Sequence, residues 1–404
     1  MAEFGKLIQQ CHHRRQTSDG RCYPRQWGRA RKTYDTCLIL FLEFYTYLIG
    51  QSIGGIFFPL WSESFGRKSL YIISTALYRL FCLTIGAFAT ITGVVMGRFA
   101  TGILSSILTV VITGSIEDLW DMRARVWWVF LWVLVGNLGL LTGPMISDGI
   151  LGHSRWKWVF YTAAIVTACM ACLLFTIKES RLSTLMTRTS NRREKLDLLL
   201  FLVSFVTVVL FGLIYLFTEV LLMVYLTLAL GASLKNAPLL AIGLGTIFSV
   251  LTRGYDVHIL ARLSAQDLSI TLENKLAGFV VGAPLLAVSL WWFAWTILPF
   301  VVLHWVIPTA SLLLTGYALN EFNYVLAGYL TDCYEQYAAS SVGAMAITRS
   351  LFSVTFPLFG TVLFRSLGYN MALTVLAIAA TILCVAPPLL LCYRAILREK
   401  SVLV

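Results

Sequence analysis

An acid flanked by amides inside an apolar run is the group in this sequence best suited to chemistry. In GYALNEFNYVLAGYLTD, Asn320, Glu321 and Asn323 interrupt a long hydrophobic stretch. An ionisable side chain deep in such a stretch is unfavourable to bury and marks an ion, proton or substrate pathway by default. A carboxylate there can take a proton from one side of a membrane and release it to the other. The alternative is an interhelical hydrogen bond that only fastens two helices. Glu43, in LFLEFY, and Arg98, in VVMGRFATG, have the same character. Arg98 either faces a bundle interior or snorkels to the headgroups. Candidates for the wall of a substrate cavity are Asn320, Asn323, Gln51, Asn137, Trp292 and Trp295. The tryptophans of LWWFAWT can stack on a flat or cationic compound, or serve as an interfacial aromatic belt.

A second group is mechanical. In PLWSESFGRKSLY, an acid, a glycine and two cations sit between two apolar runs. Gly66 permits a tight turn. Glu63 can pair with a cation such as Arg125, and Arg67 can meet Glu117 or Asp118 at the end of a later run. Exchangeable contacts of this kind suit helices that must grip and release. Arg67 and Lys68 also suit a simpler role, marking the cytoplasmic side. In GNLGLLTGPMISDG, Gly136, Gly139 and Gly143 place small residues along one side of a helix, and Pro144 removes a backbone donor. That pattern fits either a hinge or plain close packing.

These groups need membrane helices to hold them. The 404 residues are 58% hydrophobic and 13% charged, against roughly 25% charged in a globular domain. The sequence predicts an all-α polytopic membrane protein with about eleven spans: 36–61, 70–92, 96–118, 126–150, 157–177, 198–218, 236–253, 277–297, 301–325, 340–363 and 371–394. In a soluble protein the net charge of +11 would suggest nucleic acid; here the cations collect on alternate loops. Arg67, Lys68, Arg123, Arg125, Lys178, Arg181, Arg192, Arg193, Arg253, Arg262, Lys275 and Arg394 fall on the side taken as cytoplasmic. Arg155, Lys157, Lys235 and Arg365 fall opposite, and no nucleic-acid partner is expected. Cys169 and Cys172 form a CxxC inside an apolar run, better read as packing than as a metal site. Five histidines build no multi-histidine cluster, and no phosphate-binding loop pattern occurs. No enzyme, metal or cofactor is therefore expected.

The basic stretch 178–196 divides the spans into a bundle at 35–177 and one at 197–395, with tails at 1–34 and 396–404. Two bundles joined by a cytoplasmic linker, with a binding site between them near the midplane, is a common transporter plan. Five spans before the linker put the N-terminus outside, yet residues 1–32 are strongly basic. The run Thr36 to Trp61 is about 39 Å long as one helix, too short for two crossings. Either a helix is missing here or the segment re-enters.

PLWSESFGRKSLY resembles the loop after the second helix of the major facilitator superfamily through Gly66, Arg67 and Lys68, with Glu63 where that family has Asp. MGRFATGILSS resembles the fourth-helix motif through Arg98 and Gly102, and GNLGLLTGPMISDG the antiporter motif of the fifth helix through Gly136, Gly139, Gly143 and Pro144. SRWKWVFY, KESRLS, ENKLAGF, LWWFAWT and AASSVGAMAITRSLF resemble the fungal drug:proton antiporter branch, which includes polyamine and multidrug exporters. The family norm is twelve helices in two bundles, so the resemblance implies that most of the first helix and its external loop are missing. It implies a monomeric plasma-membrane exporter of small organic molecules such as drugs, toxins or secondary metabolites. Alternating access would be driven by the proton gradient. Glu321, Glu43 and Arg98 are the proton-coupling candidates. A polyamine exporter and a transport-deficient remnant or binding protein stand as alternatives.

Overall fold

The computed structural model describes residues 43–62, 67–174 apart from 89 and 121, scattered positions between 205 and 217, 236–265, 277–297, 304–333, 338–385 and 388. Among the described residues the regular structure is helical throughout. The helices are α1 (43–62), α2 (Lys68–Ala87), α3 (Ile91–Leu119), α4 (Met122–His153), α5 (Lys157–Leu174), α6 (Ala237–Ala265), α7 (Ala277–Thr296), α8 (Val306–Cys333), α9 (Ala338–Leu367) and α10 (Tyr369–Leu383). Helical residues between 205 and 217 correspond to the span expected at 198–218. The basic linker 178–196 and both tails lie outside the described residues, as do Glu63 and Gly66.

Six of the described helices are long and apolar enough to cross a membrane. Their large apolar side chains point outward as well as inward: on α5, Ile165, Val166, Met170 and Leu173 are all exposed. Such a surface is stable only against hydrocarbon, where exposed apolar groups carry no penalty. Local signals set the helix ends. Thr90 caps α3 by accepting the Gly93 amide at 3.2 Å. Gly368, at φ 78°, supplies the left-handed residue that turns α9 into α10.

The packing falls into two halves. In the first, α2 lies between α3 and α5. Its apolar contacts are two small clusters, Ile85 with Val94 and Phe160, and Tyr71 with Ile107 and Val111. In the second, α8 packs against both α6 and α7, and α7 against α10. There Phe279, Leu286, Phe293, Phe322 and Leu330 belong to one large buried core. α4 belongs to the first half in sequence, yet Val126, Phe130, Val133 and Leu141 join that second core. α1 also reaches across: a Cβ on Gly343 of α9 would meet Pro59 Cγ at 2.9 Å and the Gly55 carbonyl at 3.1 Å. α1 is one unbroken helix, about 30 Å long at 1.5 Å per residue, enough for a single crossing.

Several boundaries differ from the sequence reading: α10 ends at Leu383 where the span was expected to run to 394, and two helices run well beyond their expected ends. α6 continues to Ala265, well past Arg253, and α8 continues to Cys333, past residue 325. Charged residues end a hydropathy window, but they do not end a helix whose charges find partners inside the protein.

Candidate functional site

The site is assembled where α6 and α8 touch closely. A Cβ on Gly245 would collide with the Leu313 carbonyl, and one on Gly316 with the Ile242 carbonyl, so both positions need glycine for the helices to meet. From that contact the polar residues follow in register. Thr252 hydrogen-bonds the Tyr317 hydroxyl at 2.8 Å. One residue further on, Arg253 meets Glu321, with Nη2 and Oε2 2.5 Å apart and both side chains 0% exposed. The other terminal nitrogen of Arg253, Nη1, lies 2.5 Å from Asp256 Oδ2. The guanidinium stacks 3.9 Å from the Tyr324 ring centre, and Phe130 of α4 closes the site at 5.7 Å. α7 gives room by omission: a Cβ on Gly278 would strike Glu321 Oε2 and lie 2.8 Å from Arg253 Nη2.

A second polar array runs beside this cluster and links the two halves. Arg349 of α9 donates to Asn323 Oδ1 at 3.3 Å, and Asn323 donates to Asn137 Oδ1 at 3.2 Å. Asn137, on α4, donates to Asn320 Oδ1 at 3.0 Å, and Asn320 donates to Ser249 Oγ at 2.7 Å. Each asparagine accepts on one side and donates on the other, so the buried amides satisfy one another across the interface. Asn320 and Asn323 face this relay while Glu321 faces the ion cluster, which gives one short stretch of α8 two roles.

The remaining sequence candidates are placed as follows. Glu43 and Arg98 come together, Oε2 and Nε 3.9 Å apart, with Phe160 4.7 Å from the guanidinium. Gln51 is half-buried on α1. Arg67 meets Asp118 at 3.0 Å, and Gly114 leaves its guanidinium space that a Cβ would occupy. Arg125 meets Glu117 at 3.5 Å, and Lys68 begins α2. Trp292 and Trp295 share the exposed stripe of α7 with Val281 and Val288, opposite the residues that pack on α8. Gly136, Gly139 and Gly143 have nothing within 4 Å of an added Cβ among the described residues, and Pro144 sits inside the continuous α4.

Sequence reasoning missed Arg253, Asp256 and Arg349 as members of these polar arrays. Arg253 was counted among the loop cations that orient the chain; it is instead fully buried in the ion cluster. The available signal was its spacing. Arg253 and Asp256 are three apart, so they lie on one helix face, directly after an apolar run. Their partner is 68 positions away in the chain, which no local pattern reveals.

Residues 40–351 match the Major Facilitator Superfamily model. The chain belongs to this superfamily. Among curated relatives, the transporter is similar to the efflux pump radE of Floropilus chiversii, 25% identical over 392 residues, covering 87% of this chain and 72% of that protein. It is 28% identical over 395 residues to the probable drug/proton antiporter YHK8 of Saccharomyces cerevisiae, covering 88% and 76%. Among solved structures, the human organic anion transporter MFSD10 superposes with a TM-score of 0.65 at 14% identity, covering 86% of this chain and 82% of that one. The proton:xylose symporter XylE gives a TM-score of 0.65 at 15% identity, covering 86% and 85%. These likenesses establish the fold, and the family makes the chain a multi-pass membrane transporter rather than an enzyme.

Proposed function

We propose that this transporter exports small organic molecules from the cell, driven by protons moving inward, with Glu321 as the coupling carboxylate. The observation that carries the reading is the ion cluster between α6 and α8. A carboxylate with no exposure, bound to one guanidinium and walled by Tyr324 and Phe130, changes its interactions most simply by gaining or losing a proton. Protonation weakens its hold on Arg253, and with it the attachment of α8 to α6. The asparagine relay on the same stretch of α8 then feels the change at the contact between halves. Relatives named as efflux pumps and as a drug/proton antiporter support export and proton coupling. The driving force is the proton gradient itself, so the reading invokes no cofactor, and the plasma membrane is the compartment in which such export would clear a cell.

The test is accumulation of a panel of fluorescent cationic and neutral compounds, plus labelled spermidine, in cells expressing the chain. Accumulation should fall relative to empty cells, recover with a protonophore, and recover equally in Glu321→Gln at unchanged surface level. Efflux by Glu321→Gln that still depends on the proton gradient removes Glu321 from the mechanism. Spermidine as the sole exported compound would narrow the substrates to polyamines. Equal accumulation of every probe despite normal surface expression would overturn export in favour of a transport-deficient chain.

A further inference from the structure

The cluster holds one more acid than an ion pair requires. Arg253 offers two terminal nitrogens, and each meets a different carboxylate, Asp256 on its own helix and Glu321 on α8. When all three groups are ionised, one cation faces two anions, and a negative charge is left in excess. Their side chains are 0%, 5% and 0% exposed. An uncompensated charge in such a place carries a penalty of several kcal/mol. No other cation among the described residues lies on the cluster. Beside it are the Tyr317 and Tyr324 hydroxyls from α8, the Phe130 ring from α4, and Gly278 and Gly282 from α7. Arg349 of α9 donates to Asn323, two residues along α8 from Glu321. The geometry also leaves places for a proton: among the described residues, Glu321 Oε1 and Asp256 Oδ1 are buried without a hydrogen-bond partner.

We propose that Arg253, Asp256 and Glu321 form one site for one proton, which Asp256 and Glu321 hold in common. The inference rests on reading Glu321 as the coupling carboxylate and deepens it by adding a second acid. The step is a simple protonation: a proton from water adds to a carboxylate oxygen of the pair, and the cluster passes from one excess negative charge to neutrality. Because both acids contact the same guanidinium, the proton belongs to the pair rather than to either member. The two positions have different mechanical results. A proton on Asp256 leaves the link between α6 and α8 ionic, whereas a proton on Glu321 weakens it. Movement of the proton within the pair therefore alters helix attachment without any change in the total number of protons bound.

Charge counting makes the test sharp. Asp256→Asn leaves Arg253 and Glu321 as a neutral pair that needs no proton, so it should abolish proton binding as completely as Glu321→Gln. The measurement is infrared difference spectroscopy of the purified full-length transporter in lipid, following the stretching band of a buried protonated carboxyl group through a pH titration. The band is expected in the parent protein and absent from both amide variants, with size-exclusion profiles unchanged. A band that persists in Asp256→Asn assigns the proton to Glu321 alone and overturns sharing, as does absence of the band in the parent. If either amide variant fails to fold, Asp256→Glu and Glu321→Asp keep both carboxylates. Sharing requires each of these to shift the band, and a shift in only one overturns it. The transport reading fails separately: gradient-driven efflux by Glu321→Gln would sink coupling at this site while leaving the spectroscopic result standing.

Discussion

The two halves of this transporter use ion pairs in opposite ways. In the first half, Arg67–Asp118 and Arg125–Glu117 lie near helix ends, each a buried arginine against an acid 16% or 17% exposed, and Arg98–Glu43 is 32% and 20% exposed. Water reaches at least the acid of each pair, so these contacts exchange more readily than a fully buried one. In the second half, Arg253, Asp256 and Glu321 are 0–5% exposed inside a continuous apolar core. No solvent is present to replace a partner, and the inexpensive change is in protonation. The first arrangement suits surfaces that must part and meet again. The second suits a site whose charge state matters.

Breaking the buried cluster should have the largest effect. Arg253→Met strands two carboxylates without their cation and should lower stability by about 3–5 kcal/mol, read as loss of thermal stability in lipid nanodiscs. A melting curve indistinguishable from the parent would mean that the buried charges are not supporting one another. Next comes the space that admits the pair. Gly278→Ala inserts a Cβ against Glu321 and Arg253 and should cost about 1–3 kcal/mol, whereas Gly136→Ala, with nothing described within 4 Å, should stay within about 0.5 kcal/mol. Equal losses at both glycines would erase the contrast. Smallest is the helix-end pair: Glu117→Gln should shift stability by at most about 1 kcal/mol, with any effect appearing in transport rate. A loss as large as that of Arg253→Met would show that the first half also depends on ionic locking.

Much of this was legible in the sequence, for identifiable reasons. Glu321, Asn320 and Asn323 stood out because polar groups in a long apolar run have no bland surface role. Arg67 and Asp118 were matched because both flank span ends on the side that charge assigns to the cytoplasm. Arg253 was misassigned because a hydropathy window treats any arginine as a boundary, while a helix continues wherever the charge is neutralised from the side. The relay from Arg349 to Ser249 draws on four helices; single residues of it were visible, but their pairing required the packing of α4 into the second core. Residues 43–62 form one continuous helix, so the described part of the segment Thr36 to Trp61 holds no second crossing.

The asparagine relay has a consequence for how the membrane voltage can act. Moving one elementary charge through the full potential is worth about 2.3 kcal/mol per 100 mV. Asn137, Asn320 and Asn323 are uncharged, so parting their hydrogen bonds moves no charge through that field, and the voltage neither opposes nor assists it. Entry of a proton at Glu321 or Asp256 does move charge. Under the proposed proton coupling, the electrical part of the driving force acts on the ion cluster and leaves the amide tie between α4 and α8 to respond to packing and to what occupies the space between the halves.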